Sequence, residues 1–509
     1  MKSILSKFFF LGLTLILGIN YLFLGCNTDN KEGEQLAKTY CGGCHQLPDP
    51  NLLPRNVWKL GTLPNMAIYL GVKREIALLK PPISANKVLQ PASQMIDDIS
   101  WEKIKKYYLS NAPEKLKIPK PSDLEELTGL FEVNSINAKL SEGTLPNFTF
   151  MGIDTLHQRI MAGDQVNKVL WILDKNGSPI QTIKKQDAIT NIDFLTSKQN
   201  QYLITYIGST TQPNPEINGY AQRVSMDEKT FKAQQKILPT LNRATHVLER
   251  NLDEDTDNEI ISCEYGFVSG KLSVWDKDKK GQYQEQVLSA SVGAIKTIIT
   301  DFDGDKKLDI LAQFAQGNER IVFYKNQGKN QFEEKILLQF PPSYGSSSFE
   351  LADMNKDGKT DIIYTAGDNA DFSTVLKPYH GIYIFENQGN MTFKQSHFFH
   401  QNGSYKALPR DFDMDGDLDL AIISMFPDVD NRPLEGFIYL ENTGKDFKQK
   451  TLKINNLGRW NVMDAGDLDH DGDIDIVLGS HPVAPFPSGF NQAWKEGSGL
   501  LLLKNLKRK

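Results

Sequence analysis

The stretch "DFDMDGDLDL" (411–420) alternates aspartate with other residues and continues into an apolar segment, "AIISM". Related stretches begin at residues 251, 301, 353 and 467, with the sequences "NLDEDTDNEI", "DFDGDKKLDI", "DMNKDGKTDI" and "DLDHDGDIDI". Successive stretches begin 50, 52, 58 and 56 residues apart, and self-similarity at such a period is typical of repeat architectures. The sequence therefore predicts five units, each with an acidic turn that leads into a β-strand.

The acidic turns have the spacing of a calcium loop. Oxygen-bearing side chains at positions 1, 3, 5 and 9 can surround one Ca²⁺. The turns differ from EF-hands because position 12 is never glutamate but Ala312, Tyr364, Ile422 or Leu478. The 301 loop has Lys306 where glycine is expected, the 251 loop departs furthest from the pattern, and polar turns without metal remain the alternative. The predicted ligands are Asp301, Asp303, Asp305, Asp309, Asp353, Asn355, Asp357, Asp361, Asp411, Asp413, Asp415, Asp419, Asp467, Asp469, Asp471 and Asp475, with Asn251, Asp253, Asp255 and Glu259 in the degenerate loop.

Between the acidic turns, alternating strands are joined by N-x-G turns, as in "IVFYKNQGKNQFEEKIL" (321–337), which completes units of four strands. These units resemble the FG-GAP or VCBS repeats of integrin-like β-propellers, specifically over 245–509 and weakly over 120–245. The resemblance implies a mainly β fold with a propeller of about seven blades over 139–509, while six or eight blades stay open. The terminal "GLLLLKNL" is expected to close the ring by pairing with "GLFEVNSI" (129–136).

In such propellers, the strand before each acidic turn usually lines the central channel. This places a set of polar and aromatic side chains there: Arg243, His246, Lys296, Ser347, Tyr405, Arg410, Arg459 and Trp460. They are expected either to bind a surface glycan or protein on one propeller face, or only to fill the channel and join neighbouring blades.

A second motif, "TYCGGCHQLPDP" (39–50), lies near the N-terminus. A redox dithiol belongs on a βαβ frame, and the residues before this motif have a helical pattern instead. A structural zinc site needs four ligands, and no second CxxC or histidine pair follows. A CxxC followed directly by histidine is the c-type haem attachment pattern. We therefore expect Cys41 and Cys44 to bind haem covalently and His45 to be an axial iron ligand.

The surroundings of this motif resemble a small cytochrome c domain over 33–115. In "ISWEKIKKYYLSNAP" (99–113), Trp101, Ile104 and Tyr108 fall on one helical face, with Ser100 at a cap position. For the sixth iron ligand, the variant of the domain that is fused to repeat domains favours Met66, and the commonest small cytochromes favour Met95 in the loop before the last helix. We prefer Met66. Residues 116–138 are expected to form a linker.

The N-terminal 25 residues resemble a bacterial lipoprotein signal peptide. A short basic region precedes the apolar segment 8–24, and "LGC" ends at Cys26, the expected lipidation site. Residues 26–32 would form a tether. An uncleaved anchor or plain secretion remains open. In each case the chain is expected to be exported. As a lipid-anchored protein of a bacterial membrane, it would face the periplasm or the cell surface.

The net charge of −6 provides no reason to expect a nucleic-acid partner. With haem c and Ca²⁺ as the expected cofactors, electron transfer with the propeller as a docking platform is the first hypothesis. A calcium-dependent surface-binding or adhesion protein with an accessory haem is the second. An oxidoreductase whose propeller passes substrate electrons to the haem is the third, although no catalytic constellation is identifiable. The sequence does not specify the redox partner.

Overall fold

The computed structural model describes residues 30–76, 91–120, 123–138, 145–184, 186–195, 200–211, 216–227, 230–266, 269–370, 375–482 and 491–508. The chain divides into two compact units, 1–117 and 118–509. Within the described ranges, no helix is both long and apolar enough to span a membrane. The predicted signal peptide and Cys26 lie outside the described residues.

The first unit is helical. Residues 30–32, predicted to belong to the tether, are already part of its first helix. The helices of the chain are α1 (30–40), α2 (Arg55–Val57), α3 (Leu63–Tyr69), α4 (Lys73–Ile76), α5 (Asp98–Asn111) and α6 (Asn491–Glu496), with a π-helical turn at Trp58–Thr62 and 3₁₀ turns at Pro50–Leu52, Thr155–His157 and Pro433–Gly436.

Helix α5 buries the predicted face, because Trp101, Ile104 and Tyr108 are almost fully buried. The predicted N-cap of this helix was wrong. Asp97, not Ser100, is the N-cap residue, and its carboxylate accepts the backbone N–H of Ser100. Helix α1 crosses α5 at Gly33. A Cβ at Gly33 would lie only 2.4 Å from the carbonyl oxygen of Lys103, so the crossing requires glycine.

The second unit is a β-propeller of seven sheets, as predicted, and we number its blades 1 to 7 in chain order. Blades 1 to 6 begin with β3, β7, β11, β15, β19 and β23, and blade 7 consists of β27, β28, β29 and β2. The strands are β1 (Glu125–Glu126), β2 (Phe131–Asn137), β3 (Phe148–Asp154), β4 (Arg159–Asp164), β5 (Val169–Asp174), β6 (Pro179–Lys184), β7 (Ala188–Phe194), β8 (Gln201–Gly208), β9 (Gly219–Met226), β10 (Phe231–Leu241), β11 (Ala244–Arg250), β12 (Glu259–Glu264), β13 (Lys271–Lys277), β14 (Tyr283–Ser289), β15 (Ala294–Thr300), β16 (Asp309–Phe314), β17 (Arg320–Gly328), β18 (Gln331–Gln339), β19 (Ser346–Ala352), β20 (Asp361–Ala366), β21 (Gly381–Asn387), β22 (Phe393–His400), β23 (Ser404–Arg410), β24 (Asp419–Ser424), β25 (Phe437–Asn442), β26 (Phe447–Thr451), β27 (Trp460–Gly466), β28 (Asp475–Ser480) and β29 (Gly499–Asn505).

The ring closes by the predicted pairing of the chain ends. Strand β2 runs antiparallel to β29, with Phe131 opposite Asn505, so the last strand has no free edge. The short strand β1 pairs with β26 and adds a fifth strand to blade 6. Both strands fall within 116–138, so the predicted linker is too long and the propeller includes residues from β1 onward.

Each blade is an antiparallel sheet whose burial changes from the channel outward. The second strands of blades 3 to 7 are buried along their whole length, because both of their faces pack against neighbouring blades. The outer strands β14 and β18 contain only exposed and half-buried residues. The acidic turns therefore connect a channel-side strand to a fully buried one.

Candidate functional site

The five acidic stretches form the loops between the first and second strands of blades 3 to 7. The first of them joins β11 to β12, and the others occupy the same place in the next four blades. The fourth residue of every loop has a left-handed backbone, with φ between 59° and 81°. The loops therefore share one turn although their sequences differ.

Four of the five loops bring carboxylates together. In each group, one oxygen per residue lies within 4.8 Å of the others, and the groups are Asp253, Asp255 and Glu259; Asp301, Asp303 and Asp309; Asp411, Asp413 and Asp415; and Asp467, Asp469 and Asp471. The remaining predicted ligands, Asn251, Asp305, Asp353, Asn355, Asp357, Asp361, Asp419 and Asp475, are outside these groups of described carboxylates. Three acidic oxygens at this distance can share one cation.

The ninth residue has an additional structural role in the loops of blades 4, 5 and 7. Asp361 accepts the backbone N–H of Met354 on Oδ2 and that of Asn387 on Oδ1, each at 2.9 Å. Asp309 and Asp475 make the equivalent pair of bonds. These carboxylates are almost fully buried. The ninth residue thus ties its loop to the third strand of the same blade.

Several loop oxygens are buried without a hydrogen-bond partner among the described residues. They are Asp411 Oδ1, Asp467 Oδ1, Asp469 Oδ1 and Glu259 Oε1. A buried carboxylate oxygen without a donor has an unfavourable desolvation cost, which a bound cation offsets. The donor set is therefore suited to calcium in these loops.

The charges within the loops affect one another. Burial, together with the neighbouring carboxylates Asp413 and Asp415, raises the pKa of Asp419 to about 7. Burial and the nearby aspartates likewise raise the pKa of Asp475 to about 7 and that of Glu259 to about 7. Without a cation, these loops hold protons near neutral pH.

One set of residues in these blades escaped the sequence reasoning. The asparagines of the N-x-G turns were predicted only as turn formers, yet Asn326 Nδ2 donates to the carbonyl oxygen of Leu252 in the loop of the preceding blade, at 2.6 Å. Asn505, which is not in an N-x-G turn, donates its Nδ2 in the same way to the carbonyl oxygen of Phe412 at 2.8 Å. An asparagine near the end of the third strand was the available signal. Asn326 and Asn505 thus connect the acidic loops of adjacent blades.

Most of the side chains predicted to line the channel join neighbouring blades. Lys296 Nζ donates to the carbonyl oxygen of Phe349 at 2.8 Å, and Ser347 Oγ donates to that of Ser404 at 3.0 Å. Arg243 donates to Thr211 and Arg459 donates to Met425, while His246 Nδ1 accepts the backbone N–H of Thr297. Trp460 is buried, while Tyr405 and Arg410 are half-buried. These contacts are those expected of side chains that fill the channel and join neighbouring blades.

In the helical unit, the CxxCH motif follows α1 directly. Cys41 is half-buried, Cys44 is exposed, and both thiols are free. Burial, followed by the neighbouring Cys44, raises the pKa of Cys41 to about 11. The ring of His45 is half-buried, and its Nδ1 lies 2.9 Å from the carbonyl oxygen of Gln46. Because a carbonyl oxygen can only accept, Nδ1 carries the proton and Nε2 is the free ligand atom.

The segment after the motif is fixed to the core of this unit. Tyr108 donates its hydroxyl to the carbonyl oxygen of Pro48 at 3.1 Å, and the indole N–H of Trp58 donates to that of Pro50 at 2.8 Å. The two rings pack together with centroids 4.4 Å apart. Aromatic residues of the core therefore determine the path of the chain beyond His45.

The two candidate methionines differ in their surroundings. Met66 is half-buried on α3, among the buried residues Pro64, Asn65 and Ala67. Met95 is 60 % exposed in the segment before α5. The choice of Met66 stays a prediction.

Comparison with known proteins concerns the propeller. A family model described as an FG-GAP-like repeat matches residues 301–364, which span the 301 and 353 loops. Integrin alpha pat-2 of Caenorhabditis elegans is 26 % identical over 239 residues, which are 41 % of this chain and 18 % of that protein. The chain thus spans less than a fifth of the length of this relative. The β-propeller domain of Myceliophteria thermophila Cps50 (Swd1) is similar with a TM-score of 0.43 and 10 % identity, over 71 % of this chain and 98 % of that chain.

The fold and the matched repeat agree with each other. The matched segment contains two acidic loops in adjacent blades. The spacing of the acidic loops indicated a repeat unit at the same place in the sequence. The second unit of this chain is a seven-bladed β-propeller that contains an FG-GAP-like repeat.

Proposed function

We propose that this chain is an exported c-type haem protein that transfers electrons, and that its calcium-stabilised propeller docks a partner. The observation that carries the proposal is the hydrogen-bonded state of His45. Histidines that ligate a metal usually donate their other ring N–H to a carbonyl or carboxylate, and Nδ1 of His45 has such an acceptor in Gln46. The haem would supply one-electron exchange.

Other residues of the helical unit suit a haem group. The indole Nε1 of Trp101 and the hydroxyl of Thr62 are buried donors without an acceptor among the described residues, and haem carries two propionate groups that accept hydrogen bonds.

The two alternative roles of the motif are less compatible with the same residues. Catalytic CxxC thiols have a lowered pKa, whereas burial raises that of Cys41. A structural zinc site would place further ligands beside the thiols, and none of the ligand groups found among the described residues includes Cys41 or Cys44. Covalent haem attachment is therefore the better-supported role.

The haem proposal is tested by producing the protein in cells that mature c-type cytochromes. We expect haem that survives denaturation and extraction and that shows a pyridine haemochrome spectrum of the thioether-linked type. Cys44→Ser should weaken or abolish the covalent attachment. Cys263→Ser is the matched control, because this buried thiol lies in the propeller and should leave the spectrum unchanged. Haem that is fully extractable from the wild type contradicts the proposal.

Met66 as the sixth ligand is tested in the same haem-loaded protein. Met66→Ala should lower the reduction potential and open a coordination position for an external ligand, because a thioether ligand favours the reduced iron. Met95→Ala should leave both unchanged. The reverse pattern would assign the ligand to Met95.

The membrane anchor is tested at its own residue. Cys26→Ala should abolish incorporation of a labelled fatty acid and should release the protein from the membrane fraction. Unchanged labelling of the variant contradicts lipidation at Cys26.

Calcium is proposed for the acidic loops of blades 3, 6 and 7, because their unpartnered buried oxygens match its preference for hard oxygen ligands. Removal of calcium with a chelator should lower the melting temperature of the propeller, and added calcium should restore it. Magnesium at the same concentration is the control, because it demands a smaller octahedral site and retains its water molecules. A melting temperature that chelation leaves unchanged supports metal-free turns.

A calcium-dependent surface-binding protein with an accessory haem is a second candidate, and the similarity to integrin alpha pat-2 favours it. The two functions differ in their response to redox state. Binding of an electron-transfer partner should be followed by oxidation or reduction of the haem, whereas an adhesion partner should bind equally well to the Cys44→Ser variant. Reduction or oxidation of the haem by a periplasmic extract of the native host, lost after Cys44→Ser, supports the first function.

A further inference from the structure

The third strand of each blade places one side chain next to the acidic loop. In blade 4, Tyr324 pairs with Ile310, so the next residue, Lys325, lies beside the start of the second strand. The same register position is occupied by an acid in blades 3, 5 and 6 and by a lysine in blade 7: Asp276, Glu386, Glu441 and Lys504. The loops therefore face either an additional carboxylate or a built-in ammonium group.

Lys325 bridges two of the predicted calcium ligands of its loop. Its Nζ forms an ion pair with Asp303 Oδ2 and another with Asp305 Oδ2 at 3.0 Å. The ammonium group thus lies between positions 3 and 5, which are positions that a calcium ion would hold together.

The loops of blades 6 and 7 are different. Asp411, Asp467 and Asp469 each have a buried oxygen without a donor among the described residues, whereas no carboxylate oxygen of the 301 loop has this property. Within the described part of the chain, Lys504 contacts a single carboxylate oxygen, Asp469 Oδ2 at 2.7 Å, and Asp469 Oδ1 has no partner there. A lysine at this position therefore replaces a cation only when it reaches two ligands.

Blade 1 contains a second example of a side-chain cation in this turn. Its Asp154 lies opposite Arg159, at the register position where blade 4 has Thr300 opposite Asp309. The guanidinium group of Arg159 donates to Asp154 Oδ2 at 3.1 Å. The first turn of a blade can therefore be held together by a cationic side chain and does not always require a metal.

We propose that Lys325 is the resident cation of the 301 loop, so that this loop keeps its shape without calcium while the loops of blades 6 and 7 bind the metal. The inference rests on the calcium binding proposed above. It predicts that the 301 loop, one of the two acidic loops within the segment that the family model matches, is not a calcium site in the wild-type protein.

The test is calcium binding by Lys325→Met in the full-length protein. After removal of metal with a chelator, titration calorimetry with calcium chloride should find one more bound calcium ion per chain in the variant than in the wild type. The metal-free variant should melt at a lower temperature than the metal-free wild type, and calcium should restore the difference. Lys325→Gln, refolded in the presence of calcium, is the second variant if the first does not fold.

Two controls separate the explanations. Lys504→Met should leave the number of bound ions unchanged and should only tighten a site that already exists. Lys335→Met removes a lysine from the neighbouring strand that contacts no loop carboxylate in the described structure. If the wild type binds calcium and both Lys325 variants bind the same number of calcium ions as the wild type, only the proposed role of Lys325 is overturned. A wild type that binds no calcium instead overturns the calcium part of the proposed function.

Discussion

Calcium binding to the metal-free propeller should release protons, and the amount should depend steeply on pH. Burial raises the pKa values of Glu259, Asp419 and Asp475 to about 7 in the absence of a cation. Each is then about half protonated near pH 7, so calcium should displace about 1.5 protons per chain from the three. Near pH 6 the release should rise to about 2.7 protons, and near pH 8 it should fall to about 0.3.

The sign of the stability effect follows from the same pKa shift. A carboxyl group whose folded-state pKa is raised stabilises the fold fully below its unfolded pKa of about 4, and this contribution is lost as the pH rises through about 7. The metal-free protein should therefore melt at progressively lower temperatures between about pH 5 and pH 8. Calcium should reduce this dependence because it takes the place of the protons.

The assay is titration calorimetry with calcium in two buffers of different ionisation enthalpy, since the difference in heat measures the protons released. Asp475→Asn should reduce the release near pH 7 by about 0.5 proton. Glu319→Gln is the matched control, because its buried carboxyl also has a raised pKa, to about 8, but is held by Ser346 away from the loops. A heat of binding that is independent of the buffer, in a protein that does bind calcium, refutes the assignment of these protons.

Three further substitutions have defined outcomes in chemical or thermal unfolding. Gly33→Ala should destabilise the helical unit by several kcal/mol, because its Cβ would overlap the backbone of α5, whereas Gly43→Ala, with its nearest neighbour at 3.6 Å, should be close to neutral. Lys306→Gly should stabilise the propeller by about 0.5–1 kcal/mol, because Lys306 has a left-handed backbone with φ of 73°. Asn505→Ala should cost about 1–3 kcal/mol by removing the bond to Phe412 and leaving that buried carbonyl without its donor, and a cost below about 0.5 kcal/mol contradicts its linking role.

Most of the propeller was predictable because its signals are local. The aspartate loops recur once per blade, and each follows one strand and precedes another, so the five acidic blades and the loop positions follow from spacing alone. The linker boundary was missed for the opposite reason. Strand β1 is only two residues long and pairs with β26 far along the chain, so no neighbouring segment marks it as part of a sheet, although the pairing of β2 with β29 was predicted.

The candidate site was predictable in part. The residue types of the acidic loops and of the CxxCH motif are apparent in the sequence. The position of Lys325 beside Asp303 depends on the register between the second and third strands, which the spacing of the loops does not reveal. The cap of α5 was also ambiguous, because Asp97 and Ser100 are both good capping residues and the choice depends on where the helix starts in the folded unit.

Blade 1 explains how the acidic pattern can disappear without loss of the blade. The turn after its first strand is held by Asp154, which accepts hydrogen bonds from the guanidinium group of Arg159 and from the hydroxyl of Tyr202 at 2.7 Å. A turn at this place has to neutralise its buried carboxylates, because an unpaired buried charge is costly. Arginine does this in blade 1, lysine does so in our proposal for blade 4, and the unpartnered oxygens of blades 6 and 7 leave calcium as the remaining means. On this proposal, calcium dependence belongs to individual blades, and the seven-bladed fold persists through blades that contain no acidic repeat.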